Sequence, residues 1–219
     1  VLCTLKILLL MQHLLFDFGG VLVDLDKQRC INAFAALGFD IVPYLGTFQQ
    51  GGFFSDFERG VITTKEFCDI IREKSNNPNL TDAQIVGAWE RYLLDVPEER
   101  LEMLLRLKEK FTLHVLSNTN PVHWAMAENG YFRYKGLTVS DFFDKIFLSC
   151  ELGVEKPEPE IFEKVVAGIG CAPDDILFFD DSEVNCEAAR KCGLQAVLAP
   201  ANSAWLPTAE ALLSDEACV

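Results

Sequence analysis

Two hydrophobic rhythms share this chain. Short, mainly apolar runs at residues 14–18, 112–116, 145–149, 176–179 and 195–198 read as strands buried on both faces. Around them apolar positions recur at helical spacing, over residues 98–110, 159–169 and 183–191, and Asn120-Pro121 opens a shorter helix. Buried strands alternating with amphipathic helices predict an α/β fold, a doubly wound parallel sheet with helices on both faces. The stretch from Lys27 to Leu94 breaks the alternation. Cys30, Ile31, Phe34 and Leu37, then Phe67, Ile70 and Ile71, follow the helical period, and no strand-like run appears. Thr81-Asp82-Ala83-Gln84 offers an N-cap with Gln three residues on, and Gly51-Gly52 and Asn76-Asn77-Pro78-Asn79 punctuate the rest. The pattern predicts a core of residues 12–26 and 96–219, interrupted by a helical cap at residues 27–95.

Composition narrows the function classes. The 219 residues suffice for a full α/β core with one inserted subdomain. A formal charge of −14 argues against a broad nucleic-acid footprint. It also requires that an anionic substrate be drawn in by local positive charge, from a metal or a few lysines. Eight cysteines without a C-x-x-C pair read as reduced thiols in a cytoplasmic protein rather than as a zinc site or a disulfide framework. Residues 1–10 are apolar but too few to span a membrane, and no small-residue cleavage site follows them. They read as a dispensable extension, with Met11 as an alternative start.

Four segments then carry candidate chemistry. Leu14-Leu15-Phe16-Asp17-Phe18-Gly19-Gly20-Val21, Leu116-Ser117-Asn118 and Phe178-Phe179-Asp180-Asp181 each end an apolar run in polar residues, and Glu155-Lys156-Pro157 lies in a loop. In doubly wound sheets, ligands collect beyond the carboxyl ends of the strands, where Asp17, Ser117 and the Asp180-Asp181 pair would meet. Asp17 is a candidate nucleophile, or else a turn cap on the Gly19 and Gly20 amides. Ser117 and Asn118 suit phosphate oxygens, although Ser-Asn-Thr-Asn-Pro is equally ordinary turn chemistry. Lys156 is a compact cation for a phosphoryl group, or a solvated loop lysine. Two adjacent carboxylates on an apolar strand call for a cation, and Mg²⁺ shared by Asp17 and one of the pair fits. Alternation along the strand points the two side chains in different directions, one toward the metal, read here as Asp181, and the other toward bracing Lys156 or a loop amide.

In this order the segments resemble the haloacid dehalogenase-like superfamily, most closely its capped phosphatases, over about residues 12–200. The resemblance implies a Rossmann-like catalytic core, an aspartyl-phosphate intermediate and hydrolysis of a small phosphorylated metabolite, with no nucleic acid or membrane partner. It makes Asp17 the nucleophile and a Mg²⁺ ligand, with the Gly19 carbonyl and Asp181 as further ligands. Ser117 and Asn118 bind the phosphoryl group, and Lys156 bridges phosphate and nucleophile. Asn185 falls where many members carry another carboxylate. The run from Phe16 to Asp26, with Phe57-Glu58-Arg59-Gly60, Trp89 and Leu116-Ser117-Asn118-Thr119-Asn120, is similar to a bacterial branch that includes sugar-1-phosphate phosphatases. The phosphatase domain of soluble epoxide hydrolases is a more distant likeness.

One group departs from the family pattern. Most such phosphatases place an Asp two residues after the nucleophile to protonate the leaving alcohol, and here that residue is Gly19. A positioned acid is worth about 10²–10⁴ in rate. The gap predicts a preference for acidic leaving groups such as sugar 1-phosphates, or a substitute acid from His123 or the cap. It leaves two alternatives: a 2-haloacid dehalogenase, or a non-catalytic phosphate-binding relative. The cap is expected to close as a lid, with Phe53, Phe54 and Arg59 as its candidate substrate contacts.

Overall fold

The computed structural model describes residues 11–47, 49–75, 77–200 and 205–214; the expected extension at residues 1–10 lies outside them. Five strands form one wholly parallel sheet: β1 (His13–Phe16), β2 (Thr112–Ser117), β3 (Lys145–Leu148), β4 (Ile176–Asp180) and β5 (Gln195–Leu198), in the order β3-β2-β1-β4-β5. This is the doubly wound α/β fold that the alternating pattern predicts. The chain winds outward one way through β2 and β3, then returns past β1 to lay down β4 and β5. The winding reverses between β1 and β4, where such sheets open a crevice for ligand. Leu14, Leu15 and Phe16 are fully buried, as a central strand covered on both faces requires. Phe16 stacks on Phe179 of β4 at 4.9 Å, and Trp205 meets it edge-on at 5.1 Å.

The first strand is shorter than the apolar run suggests. It stops at Phe16 because the chain turns through Gly19 and Gly20, with Leu22 and Val23 both donating to the Phe18 carbonyl. Gly20 has φ +83°, and a Cβ there would collide with the Asp181 carboxylate, so any other residue would be strained in that turn.

Between β1 and β2, four α-helices form a separate layer: Lys27–Ala36, Phe53–Glu58, Thr64–Lys74 and Asp82–Glu90. Thr81 and Gln84 make the expected reciprocal cap, and Thr63 with Glu66 makes a second. The helix from Asp82 ends short of Leu94 because the chain there pairs with the outgoing segment. Leu94 donates to the Asp24 carbonyl and Asp26 to that of Tyr92, stitching together the two strands that cross between core and layer. Arg100, 1% exposed, braces this crossing through the Leu22 carbonyl at 3.0 Å and the Asp24 carboxylate at 2.7 Å. Among the described residues no helix is long and apolar enough to cross a membrane, and the six described cysteines are free thiols.

Candidate active site

Strand register alone assembles the first part of the site. Phe16 lies opposite Val115 on one side and Phe179 on the other, so the next residues outward are Asp17, Leu116 and Asp180. The Asp17 amide continues the ladder by donating to the Phe179 carbonyl at 2.8 Å. Lys156 reaches this point from the loop before the helix Pro159–Ile169. Its Nζ lies 2.7 Å from Asp17 Oδ1 and 2.6 Å from Asp180 Oδ2, with the Leu116 carbonyl at 3.3 Å.

These ions are held away from water, Lys156 at 1% and Asp180 at 0% exposure. Burial alone would pull the Lys156 ammonium toward neutrality, but Asp17 and Asp180 more than offset it and its pKa is raised. Asp17 is pushed up to about 8, by burial first and then, against the Lys156 charge, by Asp180 and Asp181. Burial and Asp180 likewise push Asp181 up to about 6. The two sides of the Lys156–Asp17 contact pull in opposite directions, and the short ion pair decides for a protonated lysine. Burial is the larger cause of the upward push on Asp17 and Asp181, and the crowding of acids around one ammonium adds to it.

That imbalance is the test of a metal. Asp17, Asp180 and Asp181 each bring a carboxylate oxygen within 4.8 Å of the others. Asp180 is already committed, through Oδ2 to Lys156 and through Oδ1 to the Ser182 amide at 2.8 Å and Asn185 Nδ2 at 3.0 Å. Asp17 and Asp181 remain, with Asp181 packed against the Gly20 backbone beside Gly19. An all-oxygen set with two uncompensated negative charges fits a hard divalent cation such as Mg²⁺.

Above the ions lies a cavity of about 70 Å³, lined by Asp17, Gly19, Ser117, Asn118, Lys156 and Asp181 from the sheet side. All six residues singled out from sequence therefore border one space. Their side chains are not equally available. Ser117 is 1% exposed, and no described residue pairs with its hydroxyl. The Asn118 side chain is spent on the loop, donating to the Lys156 carbonyl at 2.9 Å and accepting from the Lys156 amide at 2.8 Å.

His123 borders the cavity but has no proton to give. Its Nε2 meets the Trp89 carbonyl at 3.0 Å, which makes Nε2–H the donor and leaves Nδ1 bare toward Asn120 Nδ2 at 3.4 Å. The ring stacks on Trp89 at 4.4 Å, and burial lowers its pKa to about 4 despite the Trp89 bond. The neutral imidazole is a strut between helical layer and core.

The layer side of the cavity corrects the expected lid contacts. Phe53, Phe54 and Arg59 do not line it. The two phenylalanines belong to the layer's own aromatic core, packed against Tyr44, Phe67 and Trp89. Arg59 turns to Glu155 and Glu158 and latches the layer to the loop that carries Lys156. Thr47, Gln50, Glu58 and Tyr92 face the cavity instead. From sequence Glu58 enters only as part of the Phe57-Glu58-Arg59-Gly60 likeness; its signal there is a carboxylate closing a helix rich in phenylalanine.

A family model described as haloacid dehalogenase-like hydrolase matches residues 11–193. The chain is 30% identical over 197 residues, 90% of its own length and 95% of the relative's, to D-ribitol-5-phosphate phosphatase of Bacteroides thetaiotaomicron. Among solved structures it superimposes with a TM-score of 0.85 and 41% identity on a haloacid dehalogenase family enzyme of the same organism, in complex with magnesium and inorganic phosphate; the match covers 88% of this chain and 95% of that one. An L-2-haloacid dehalogenase superimposes with a TM-score of 0.52 at 22% identity, covering 85% of this chain and 82% of that one, and so shares the fold alone.

Proposed function

The chain belongs to the haloacid dehalogenase-like hydrolases and is a Mg²⁺-dependent phosphomonoester hydrolase, and we propose that its substrate is a small phosphorylated polyol or sugar, hydrolysed through Asp17. The observation that carries this reading is the buried Asp17–Lys156–Asp180 ion cluster, with Asp181 beside it and two negative charges left over.

Mg²⁺ held by Asp17, Asp181 and the Gly19 carbonyl would neutralise charge on the phosphoryl oxygens. The chain's own residues supply the rest. A carboxylate oxygen of Asp17 attacks phosphorus, and the bond to the departing alcohol breaks. Lys156 holds the nucleophile and offers positive charge where charge gathers in the transition state. The Ser117 hydroxyl, unpaired at the cavity wall, donates to a phosphoryl oxygen, and the Asn118 side chain fixes the Lys156 loop. Water then cleaves the aspartyl-phosphate and regenerates Asp17. Residues 27–95 act as the lid. A cavity of about 70 Å³ holds a phosphoryl group, well short of the roughly 300–1,000 Å³ usual for a small-molecule site, so the lid must shift to admit a whole substrate. Free thiols among the described residues agree with a cytoplasmic setting.

A panel of polyol, sugar and aryl phosphates assayed with Mg²⁺ and after chelation tests the reading. Turnover of one of the small phosphoesters, lost on chelation and restored by Mg²⁺, is expected. Full activity without divalent metal, or release of halide from 2-haloacids in place of phosphate, would contradict it.

A further inference from the structure

The position two residues past Asp17 holds no acid, and His123 is fixed as a neutral strut, yet an ordinary alcohol is a poor leaving group without a proton. We propose that Glu58, carried in from the helical layer, is the catalytic acid and base of this site. The inference rests on the phosphatase reading above and goes beyond it by naming the proton donor.

Glu58 lines the same cavity as Asp17, Ser117 and Lys156, although its helix belongs to the opposite layer. The residue is 5% exposed, and no described residue donates a hydrogen bond to its carboxyl group. A buried, unpaired carboxylate is far more costly than the protonated acid. The cations nearby are engaged elsewhere, Lys156 with Asp17 and Asp180, and Arg59 with Glu155 and Glu158. Glu155 and Asp17 face the group with like charge, Tyr92 and Cys150 with neutral side chains. Burial, then Glu155, then Asp17 raise the Glu58 pKa well above the usual carboxylate range.

Its backbone is also fixed against the core. Ser149 Oγ meets the Glu58 carbonyl at 2.5 Å and accepts from the Thr119 amide at 2.9 Å, joining the layer's helix end to the loop after β2. Two residues on, Gly60 approaches the Cys150 carbonyl so closely that no Cβ fits. The carboxyl group is thus delivered to the cavity each time the layer docks.

The proton balance closes over two steps. As Asp17 bonds to phosphorus and the ester P–O bond breaks, the Glu58 O–H passes its proton to the departing oxygen, giving the alcohol and a Glu58 carboxylate. That carboxylate then takes a proton from water as the water oxygen attacks phosphorus and the Asp17–phosphorus bond breaks. Inorganic phosphate leaves, and Glu58 is again the acid.

The experiment compares an alkyl phosphate with an aryl phosphate, both with Mg²⁺, in four forms: natural, E58Q, G19D and E58Q/G19D. In E58Q the alkyl ester is expected to slow by about 10²–10⁴-fold. The aryl ester should still give a burst of phenol, followed by accumulation of phosphorylated Asp17 in quenched protein, because the second step has lost its base. Adding G19D should restore the alkyl rate. The site admits it, since Gly19 has no left-handed φ and a Cβ would meet only Leu25 methyl carbons at 3.6 and 3.7 Å. On the natural background, G19D should gain less than tenfold on the alkyl ester. Equal slowing of both esters in E58Q without a burst, or a rise in KM alone, would overturn the assignment and make Glu58 a binder of substrate hydroxyls. Should E58Q fail to fold, a large gain from G19D alone would overturn it just as well, by showing that the natural site lacks an acid. A natural protein inactive on every ester would remove the phosphatase reading itself, an outcome distinct from an active protein indifferent to E58Q.

Discussion

At the carboxyl end of the sheet, the buried Asp17, Lys156 and Asp180 meet the half-buried Asp181 in a single cluster, and strand register sets most of their positions. The helical layer that faces them is built from rings: Phe34, Phe53, Phe54, Phe67 and Trp89 pack against one another with little polar interruption. The sheet end gives up stability for chemistry, because three carboxylates around one ammonium are held together against their own repulsion. The layer gains stability from apolar area and sends few polar groups into the cavity. Removing the Lys156 ammonium should therefore damage rate and stability together. Removing a ring from the second should damage stability and spare the chemical step.

The largest separation is expected from Lys156→Ala. One preorganised charge contact is worth about 10²–10³ in rate. Loss of the ammonium also leaves Asp17 and Asp180 buried without their partner, a change that typically costs about 3–5 kcal/mol. Urea unfolding with steady-state kinetics reads both, and a variant as stable as the natural protein would break the comparison at its first region.

Phe54→Ala should cost about 3–5 kcal/mol through the cavity it opens in the layer. Below its melting temperature, its turnover number should stay within about tenfold of the natural value, since no ring of that cluster borders the reacting groups. A loss of turnover as large as that of Lys156→Ala would show that the layer's packing governs the chemistry directly.

A smaller effect concerns acid stability. His114, buried on β2 and 3.1 Å from His13, is lowered to about 4 by burial and then by His13. An unfolded histidine titrates near 6.5, so the unfolded chain takes up this proton first as pH falls. The contribution of neutral His114 is therefore complete above about pH 6.5 and is lost as pH falls from there to about 4. The difference in urea midpoint between natural protein and His114→Leu, followed from pH 7 to pH 4.5, should shift in favour of the variant. Buried Glu58 and Glu155 shift the other way and cancel in that difference. A constant difference would mean that His114 titrates normally in the fold.

The two regions were unequally legible in the sequence, for a physical reason. Apolar runs alternating with amphipathic helices imply a parallel sheet whose carboxyl strand ends share one edge, so Asp17, Ser117 and Asp180-Asp181 could be grouped before any coordinates. The Thr81–Gln84 cap was equally local. What failed was the aim of the cap. Helical periodicity identifies the apolar face of Phe53–Glu58 but not where that face docks. Docking is set by contacts across about a hundred residues, Arg59 to Glu155 and Glu158 and the Glu58 carbonyl to Ser149. Those contacts turn Phe53 and Phe54 inward and Arg59 sideways, and bring Glu58 over the site. The role of His123 was hidden in the same way, in a bond to the Trp89 carbonyl from the opposite layer.

In the proposed mechanism the strand-end cluster makes Asp17 a nucleophile toward phosphorus. The most direct measurement quenches the Mg²⁺-loaded protein during turnover of an aryl phosphate and maps phosphorylated peptides by mass spectrometry, with Asp17→Asn as the control. A phosphoryl group on Asp17 that is absent without Mg²⁺ is expected, and in Asp17→Asn neither phosphorylation nor turnover, the amide being nearly isosteric but not a competent nucleophile. Sustained phosphate release from Asp17→Asn, or a phosphoryl group trapped on another residue, would contradict it.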